Sequence, residues 1–183
     1  MKSDELSELV ARAARSSYLE SQRVLGQGEI IGYSILSHDT ADSCGPVVAT
    51  RRGLAEFKYG SRDDFLFSPE EWDEFDNGPS FELVNKEIAK LYDSGDYEVD
   101  PDWHGKFREL VFEAAVVGLE RLVRDGFFGS EDERDRIFIL FALSDSETFE
   151  THEPGWVKRL NTPAVVQRND TWRDKRLREG RRA

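Results

Sequence analysis

The chain has 183 residues, of which 38% are hydrophobic and 34% are charged, a composition typical of one folded domain with a heavily charged surface. Its formal net charge of −12 disfavours nucleic acid and anionic membranes as partners, and its single cysteine excludes a disulfide framework and a cysteine-based zinc cluster. The sequence contains neither an apolar leader nor a run of membrane-spanning length, so we expect a cytoplasmic protein.

The negative charge is unevenly distributed along the chain. Residues 171–183 contain six basic and two acidic residues, so residues 1–170 alone carry a formal charge of −16. We expect a single domain over residues 1–170 and a basic C-terminal tail over residues 171–183. A body with this charge attracts basic proteins, although acidity that only maintains solubility explains the same composition.

The first half of the chain predicts both helices and strands. Ser3 is placed to cap an N-terminal helix that ends at Gly26 and has Val24 on its inner side. Residues 29–37 and 46–50 have the composition of two strands, and the loop of Asp, Ser and Gly between them predicts an antiparallel hairpin.

Turn and capping signals follow this hairpin. Residues 65–67 predict a short extended piece. Ser68-Pro69-Glu70-Glu71 combines a capping serine, a proline at the first helical position and a glutamate three residues after the cap, which together predict the start of a helix. Ser80 predicts the N-cap of another helix.

The central part of the chain predicts a helix that leads into a buried strand. Apolar residues repeat at steps of three and four between Phe107 and Val123, and Gly126 follows at the position of a left-handed C-cap. Residues 137–143 are an unbroken run typical of a strand buried on both faces. We therefore predict an α+β domain in which helices pack on a small, mostly antiparallel sheet, with a central helix (101–125) leading into the buried strand (137–143).

Two more helices are predicted after that strand. Pro154 is expected to open a short helix, and Asn161-Thr162-Pro163 is expected to cap a final one, in which Trp172 packs on the body. The basic end of the final helix has three interpretations. The first is a nucleic-acid arm, which the acidic body disfavours. The second is a contact with the acidic patch of the same or a second copy, and the third is an unengaged terminus.

Residues suited to catalysis are few. His38, with Asp39, Asp42 and Cys44, lacks an established metal-ligand spacing, and a solvated loop explains these residues better. The motifs of nucleotide-binding loops, hydrolase nucleophile elbows and zinc proteases are absent from the sequence. We therefore predict no catalytic residue, no metal site and no cofactor.

Acids mixed with aromatic side chains form the strongest functional pattern. Residues 63–76 contain seven acids and no base, and a second base-free run of acids ends beside Trp103. Acids steer a basic partner and aromatic rings anchor it, so this pattern predicts a partner-binding surface. The predicted surface consists of Asp63, Asp64, Glu70, Glu71, Trp72, Asp73, Glu74, Phe75, Asp76, Asp100, Asp102 and Trp103.

The same residues leave three alternatives open. In the first, the rings pack inward as core and the acids form a solvated rim. In the second, the carboxylates belong to an enzyme, with or without a divalent cation. In the third, the chain self-associates as a structural or regulatory protein. A basic protein is the partner that the charge favours, with neither nucleic acid nor membrane, and both a monomer and a homodimer agree with the sequence.

Several motifs together resemble those of the bacterial domain-of-unknown-function family 4303. In chain order they are Phe67-Ser68-Pro69-Glu70-Glu71-Trp72, Phe81…Val84-Asn85, Gly126-Phe127-Phe128-Gly129, Leu143-Ser144-Asp145 and Arg159-Leu160-Asn161-Thr162-Pro163. The resemblance implies a single α+β domain without an established enzymatic activity. Proteins of this general kind tend to occur near bacterial toxin systems, so the resemblance also hints at toxin immunity.

These observations lead to one functional expectation. We expect an immunity protein that binds and neutralises a basic bacterial toxin, such as a nuclease effector. Charge would steer the encounter, and Trp72, Phe75 or Trp103 would then be buried against the toxin, while the acids occupy a site meant for phosphate groups.

Overall fold

The computed structural model of the protein describes residues 3–74, 78–95, 100–144 and 147–180. The helices are α1 (Ser3–Leu25), α2 (Arg51–Glu56), α3 (Arg62–Leu66), α4 (Glu82–Asp93), α5 (Trp103–Arg124), α6 (Glu131–Arg134), α7 (Glu147–Leu160) and α8 (Pro163–Gly180). The strands are β1 (Ile30–His38), β2 (Cys44–Thr50), β3 (Asp73–Glu74) and β4 (Phe138–Ser144). The predicted α+β class, with helices packed on a small sheet, is confirmed.

The sheet has the strand order β3-β2-β1-β4. β1 and β2 form the predicted antiparallel hairpin, and β3 adds two residues antiparallel to β2. β1 pairs with β4 in parallel, with Tyr33 opposite Ile139. Strand β1 therefore has an antiparallel neighbour, β2, on one side and a parallel neighbour, β4, on the other. Two of the three strand pairings are antiparallel, so the sheet is mostly antiparallel, as predicted. The parallel pairing requires a long crossover connection, and this connection contains α5.

Strands β1 and β4 are buried on both faces, and different elements cover the two faces. On one face, the Tyr33 hydroxyl contacts the Ser17 hydroxyl of α1 at 2.5 Å, and Phe141 packs against Phe112 of α5. Because side chains alternate along a strand, Phe138 points to the opposite face, where it packs edge-on against Phe67. The sheet therefore lies between a helical layer and the segment that contains Phe67.

The predicted central helix is confirmed as α5, and it packs directly on α1. Gly118 permits this close approach, because a Cβ at that position would lie 2.8 Å from Val10 Cγ1 and 2.9 Å from the carbonyl oxygen of Ser7. The helix ends as predicted at Gly126, which has a φ of 69°. The amide of Phe127 then donates to the carbonyl of Leu122, which is the bond that defines a Schellman cap.

The outer edge of β4 is covered by a side chain that imitates a neighbouring strand. The amide of Ile139 donates to Asn161 Oδ1 at 2.9 Å, and Asn161 Nδ2 donates to the carbonyl of Ile139 at 2.7 Å. A buried backbone group without a partner costs about 1–3 kcal/mol. The side chain of Asn161 removes this cost for both the N–H and the C=O of Ile139. Helix α7 places Asn161 there, because it packs along β4 and ends at the preceding residue.

Two local predictions after the hairpin were wrong. Residues 65–67 are not extended, because Ser61 and Asp64 form a capping box that starts the short helix α3. Ser68 makes no capping bond with its side chain, and only a 3₁₀ turn, Pro69–Glu71, follows it. The turn closes with a bond from the Trp72 amide to the Pro69 carbonyl, and the chain then enters β3 instead of a helix.

Three further positions differ from the prediction. α4 begins at Glu82, with Phe81 at the N-cap position, and Ser80 lies in the preceding 3₁₀ turn, Gly78–Phe81. Pro154 lies inside α7 and does not open it, although a proline there removes one backbone hydrogen bond of the helix. Val24 is 56% exposed, because Leu25 takes the inward position in the last turn of α1.

The contact between α1 and α5 can be tested with two glycines of the same helix. We expect Gly118→Ala to lower the free energy of unfolding by about 1–3 kcal/mol, because the new methyl group would overlap Val10 and Ser7. Gly105→Ala is the matched control: its Cβ meets open space, so the same change should stabilise the helix by about 0.5–1 kcal/mol. Urea denaturation measures both values, and equal effects would contradict the close packing.

Candidate functional site

The predicted partner-binding residues occupy different environments in the structure. Asp63 and Asp64 belong to α3, Glu70 and Glu71 to the 3₁₀ turn, and Asp73 and Glu74 to β3. Phe75 and Asp76 lie outside the described residues, as do the side chains of Asp73 and Glu74. Asp100, Asp102 and Trp103 lie at the start of α5.

The two acids of α3 are engaged by the C-terminal helix. Arg168 Nη2 lies 2.8 Å from Asp63 Oδ1, and Trp172 Nε1 donates to Asp64 Oδ1 at 2.9 Å. The ring of Trp172 also packs against Phe67, which covers the sheet. Asp63 and Asp64 therefore hold α8 on the body, and a partner would have to compete with these internal contacts.

Asp64 is held in its ionised form by several donors. The hydroxyl and the backbone amide of Ser61 each lie 2.7 Å from Asp64 Oδ2, and Trp172 adds the third bond. These bonds, with those from Ser61 the strongest, lower the pKa of Asp64 to about 2, and the charge of Lys175 adds to the effect. The carboxylate is thus both a helix cap and an anchor for α8.

Trp72 is a core residue, which corrects its predicted role as an anchor for a partner. Its side chain is 5% exposed, and its Nε1 donates to the carbonyl of Phe65 at 2.9 Å. The ring lies directly over β1: a Cβ on Gly32 would come within 2.6 Å of Trp72 Cη2. Only a residue without a side chain fits beneath this ring, so Trp72 cannot turn outward without opening the core.

The second predicted cluster is partly neutralised as well. Lys106 Nζ lies 2.6 Å from Asp100 Oδ2, whereas Asp102 is exposed. Trp103 is half-buried and packs beside Phe107 and Gly95. Trp103 therefore presents only part of its ring to solvent, and Asp102 is the acid that remains open.

Glu70 and Glu71 are exposed on the surface, as Asp102 is. Among the described residues, neither glutamate forms an ion pair with a basic side chain. They lead directly into β3, which lies at one edge of the sheet. We call the segment Glu70, Glu71, Asp73 and Glu74 the acidic edge.

Sequence reasoning missed an exposed aromatic residue near this segment. Tyr59 is 90% exposed in the loop between α2 and α3, and its ring contacts Phe57. Phe57 in turn contacts Phe65, whose carbonyl accepts the bond from Trp72. The sequence does contain a signal for this exposure, because Gly60 and Ser61 follow Tyr59 and are typical of a surface loop.

The basic tail begins as a docked helix. α8 continues without a break across the predicted boundary between residues 170 and 171. Arg173 is paired with Glu153 of α7, whose carboxylate is almost completely buried, and Arg176 lies over the ring of Trp172. Arg173 thus binds an acid outside the predicted stretch 63–76, whereas Trp172 binds Asp64 within it.

The histidines are placed apart from one another. His38 Nδ1 lies 2.9 Å from Ser144 Oγ, where β1 and β4 end side by side, and the ring of His152 stacks on Trp156. In the described ranges, no group of three or more His, Cys, Asp or Glu side chains is arranged to hold a metal ion. None of the helices in that part of the chain combines the length and apolar character needed to cross a membrane.

The sequence was compared with family models, with curated proteins and with solved structures. The model of a domain of unknown function, DUF4303, matches residues 10–162. The chain belongs to the DUF4303 family. Neither a curated protein nor a solved structure matches this DUF4303 chain. The matched range ends immediately before Pro163, so α8, with Arg168 and Trp172, lies outside it.

The last motif of this DUF4303 chain is a structural junction. Arg159 binds two carboxylates of α5 at once, with Nε 2.7 Å from Glu120 Oε1 and Nη1 2.8 Å from Glu113 Oε2. Asn161 covers β4, and Thr162 contacts Asp135 while its hydroxyl accepts the Val165 amide at the start of α8. Each side chain joins elements that are distant in the sequence, so the motif positions α5, β4, α7 and α8.

The other motifs of the family have similar structural roles. Asn85 Oδ1 accepts the backbone amide of Cys44 at 2.9 Å and so ties α4 to the start of β2. Phe128 is buried against Tyr18 and Tyr33, directly after the cap of α5. Asn85 and Phe128 therefore join elements that are distant in the sequence, as the residues of the last motif do.

The cap of α3 gives a pH-dependent prediction. The pKa of Asp64 lies below the value of about 3.9 for an unfolded aspartate, so its bonds stabilise the fold above about pH 4 and are lost as the pH falls toward 2. Ser61→Ala should raise the pKa of Asp64 more than Trp172→Phe does, since Ser61 supplies two of the bonds. An NMR titration of the carboxyl group measures each pKa.

Ser130→Ala is the control for this titration. Ser130 caps α6 through Glu133 in the same way, so its removal should raise the pKa of Glu133 and leave that of Asp64 unchanged. In urea, the destabilisation caused by Ser61→Ala should be clear at pH 7 and smaller at pH 2. An Asp64 that titrates near the ordinary value in the unmodified protein would contradict the proposed cap.

Proposed function

We propose that this DUF4303 protein is an immunity protein that binds a basic protein toxin, such as a nuclease effector, and neutralises it. The single observation that carries this proposal is the pair of exposed glutamates, Glu70 and Glu71, on a chain with a net charge of −12. Long-range attraction of this kind raises the rate at which a basic partner arrives. The expected setting is the cytoplasm.

The acidic edge is better suited to a partner than the other predicted acids. Asp63 and Asp100 already bind Arg168 and Lys106, so an incoming cation would have to replace an existing partner there. Glu70 and Glu71 offer carboxylates without that competition. Charge-assisted bonds to arginine are about twice as strong as neutral ones, so a partner rich in arginine gains most at this place.

Tyr59 takes over the anchoring role that the sequence suggested for Trp72. A ring that is 90% exposed loses more water contact on binding than one that is already internal, and tyrosine is among the residues enriched at binding hot spots. Lys58 and Arg62 flank Tyr59 and are exposed, so steering is expected from the acidic edge and not from this loop. Tyr59 would then be buried once the partner has arrived.

Neutralisation in this proposal requires binding and no chemistry. Carboxylates placed over a basic active site would occupy the position of substrate phosphates and exclude nucleic acid from it. The proposal requires neither a metal nor a cofactor, and neither nucleic acid nor a membrane is a partner of the DUF4303 protein itself.

The direct experiment uses the product of the gene adjacent to the one for this protein. Co-expression of the two should rescue growth that the neighbouring product alone inhibits, and the pair should co-purify at low ionic strength. The proposal fails if the neighbouring product is toxic and the DUF4303 protein neither binds it nor relieves its toxicity.

Charge reversal in the acidic edge should slow association with that partner. The variant Glu70→Lys, Glu71→Lys, Asp73→Lys, Glu74→Lys is expected to lower the association rate constant about tenfold or more at low salt, and to flatten its salt dependence. Surface plasmon resonance at several salt concentrations measures both effects.

A matched control separates local charge from total charge. Glu8→Lys, Asp125→Lys, Asp132→Lys and Asp170→Lys make the same change in net charge at exposed positions in other segments of the chain. We expect this control to change the rate constant less than about threefold. If the two variants behave alike, the acidic edge is not the site of contact.

A further inference from the structure

A cavity of about 410 Å³ opens at the end of the sheet where β1 and β4 begin. Its walls come from separate parts of the chain, namely α1, the loop before β1, the start of α2, the corner after α5 and the segment before β4. The volume falls within the roughly 300–1,000 Å³ that is usual for small-molecule sites. Neither Glu70 nor Glu71 is among the described residues that line it, so this cavity is argued independently of the proposed protein-binding function.

The floor of the cavity is aromatic and fixed in position. Tyr18 makes edge-to-face contacts with Phe127 and Phe128, at centroid distances of 5.5 and 5.1 Å. Tyr18 and Phe128 are buried, and Arg15 covers the ring of Phe127 at 4.4 Å. Phe127 is half-buried, so it is the ring of this floor that offers a preformed apolar surface to a flat ligand, while Tyr18 and Phe128 hold it in position.

The rim of the cavity carries two arginines and one acid. Arg51 Nε donates to the carbonyl of Gly28 at 2.7 Å, which fixes the guanidinium group at the wall. Arg136 is exposed and also lines the cavity, and its charge helps to lower the pKa of Glu133. The acid is Glu133, whose Oε2 already accepts from the amide and the hydroxyl of Ser130. The local balance is therefore positive, on a chain whose net charge is strongly negative.

Two glutamines complete the polar lining. Gln22 projects from α1, one turn after Tyr18, and Gln27 lies in the loop that leads to β1. A carboxamide group carries both a donor and an acceptor, so it can pair with the edge of a heteroaromatic ring. An aromatic floor can stack on a base, the carboxamide groups can pair with the polar edge of that base, and the cationic rim can bind a phosphate group.

We propose that this cavity binds a small anionic heteroaromatic ligand of the nucleoside monophosphate class. The base lies against the half-buried ring of Phe127, the glutamines pair with its polar edge, and Arg51 and Arg136 bind the phosphate group. Arginine is suited to this role, because its planar fork presents paired donors to phosphate oxygens.

Isothermal titration calorimetry with AMP tests the proposal on the full chain. AMP should bind at one saturable site with a dissociation constant between about 1 μM and 1 mM. Adenosine, which lacks the anion, and inorganic phosphate, which lacks the ring, should each bind at least about tenfold more weakly. No saturable binding of AMP, CMP, GMP or UMP up to about 10 mM would overturn the proposal, as would phosphate binding as tightly as AMP.

Variants of the rim identify the site. Arg136→Ala and Arg51→Ala should each weaken AMP binding about tenfold. Arg124→Ala and Arg52→Ala, at exposed arginines that do not line the cavity, should change it less than twofold. Arg51→Ala also removes the bond to Gly28, so a loss of binding in that variant can come from a change in the loop. Arg136→Ala is therefore the variant that decides whether this cavity is the AMP site, and circular dichroism checks that it is folded. AMP binding that Arg136→Ala leaves unchanged would overturn the assignment of this cavity.

Discussion

Burial of β1 and β4 on both faces is the constraint on which the rest of the structure depends. Such a pair needs cover on two sides, and its outer strand needs partners for backbone groups that no further strand can bind. α1 and α5 supply the first layer, Phe67 and Trp72 supply the second, and Asn161 satisfies the exposed side of β4. Several of the motifs that resemble those of the family lie where the two faces and the outer edge of the sheet are covered.

The same constraint separates the two components of the acidic and aromatic stretch. The rings of Phe65, Phe67 and Trp72 are used to cover the sheet, so they are internal. The acids that precede them hold α8 over Phe67, and Glu70 and Glu71 after Pro69 are directed to solvent. Along the chain, this one run of sequence thus contributes first to an internal electrostatic contact, then to the core and then to the open surface, before it returns to the core at Trp72.

Periodicity was sufficient to predict the elements that dominate the core. The three- and four-residue spacing in α5, the unbroken apolar run of β4 and the alternation in β1 each reflect burial over many residues, so single exceptions do not obscure them. The hairpin and the caps at Gly126 and Thr162 were also predictable, since they depend on neighbours in the sequence.

Features that depend on distant contacts could not be predicted in this way. Asp63 and Asp64 are engaged within the fold because they contact Arg168 and Trp172, which lie more than a hundred residues later in the sequence. The position of Trp72 is decided by the space above Gly32, which exists only after the sheet has formed. The cavity beside Arg51 likewise combines five segments, and none of them alone has a recognisable ligand-binding pattern.

The way in which the sheet ends on each side has a consequence for self-association. At one border a carboxamide stands in for a missing strand, and at the other the last strand is only two residues long and acidic. Short and charged borders resist the template-like addition of further chains that leads to fibrils. Both borders of this sheet therefore disfavour edge-to-edge pairing between copies of the chain.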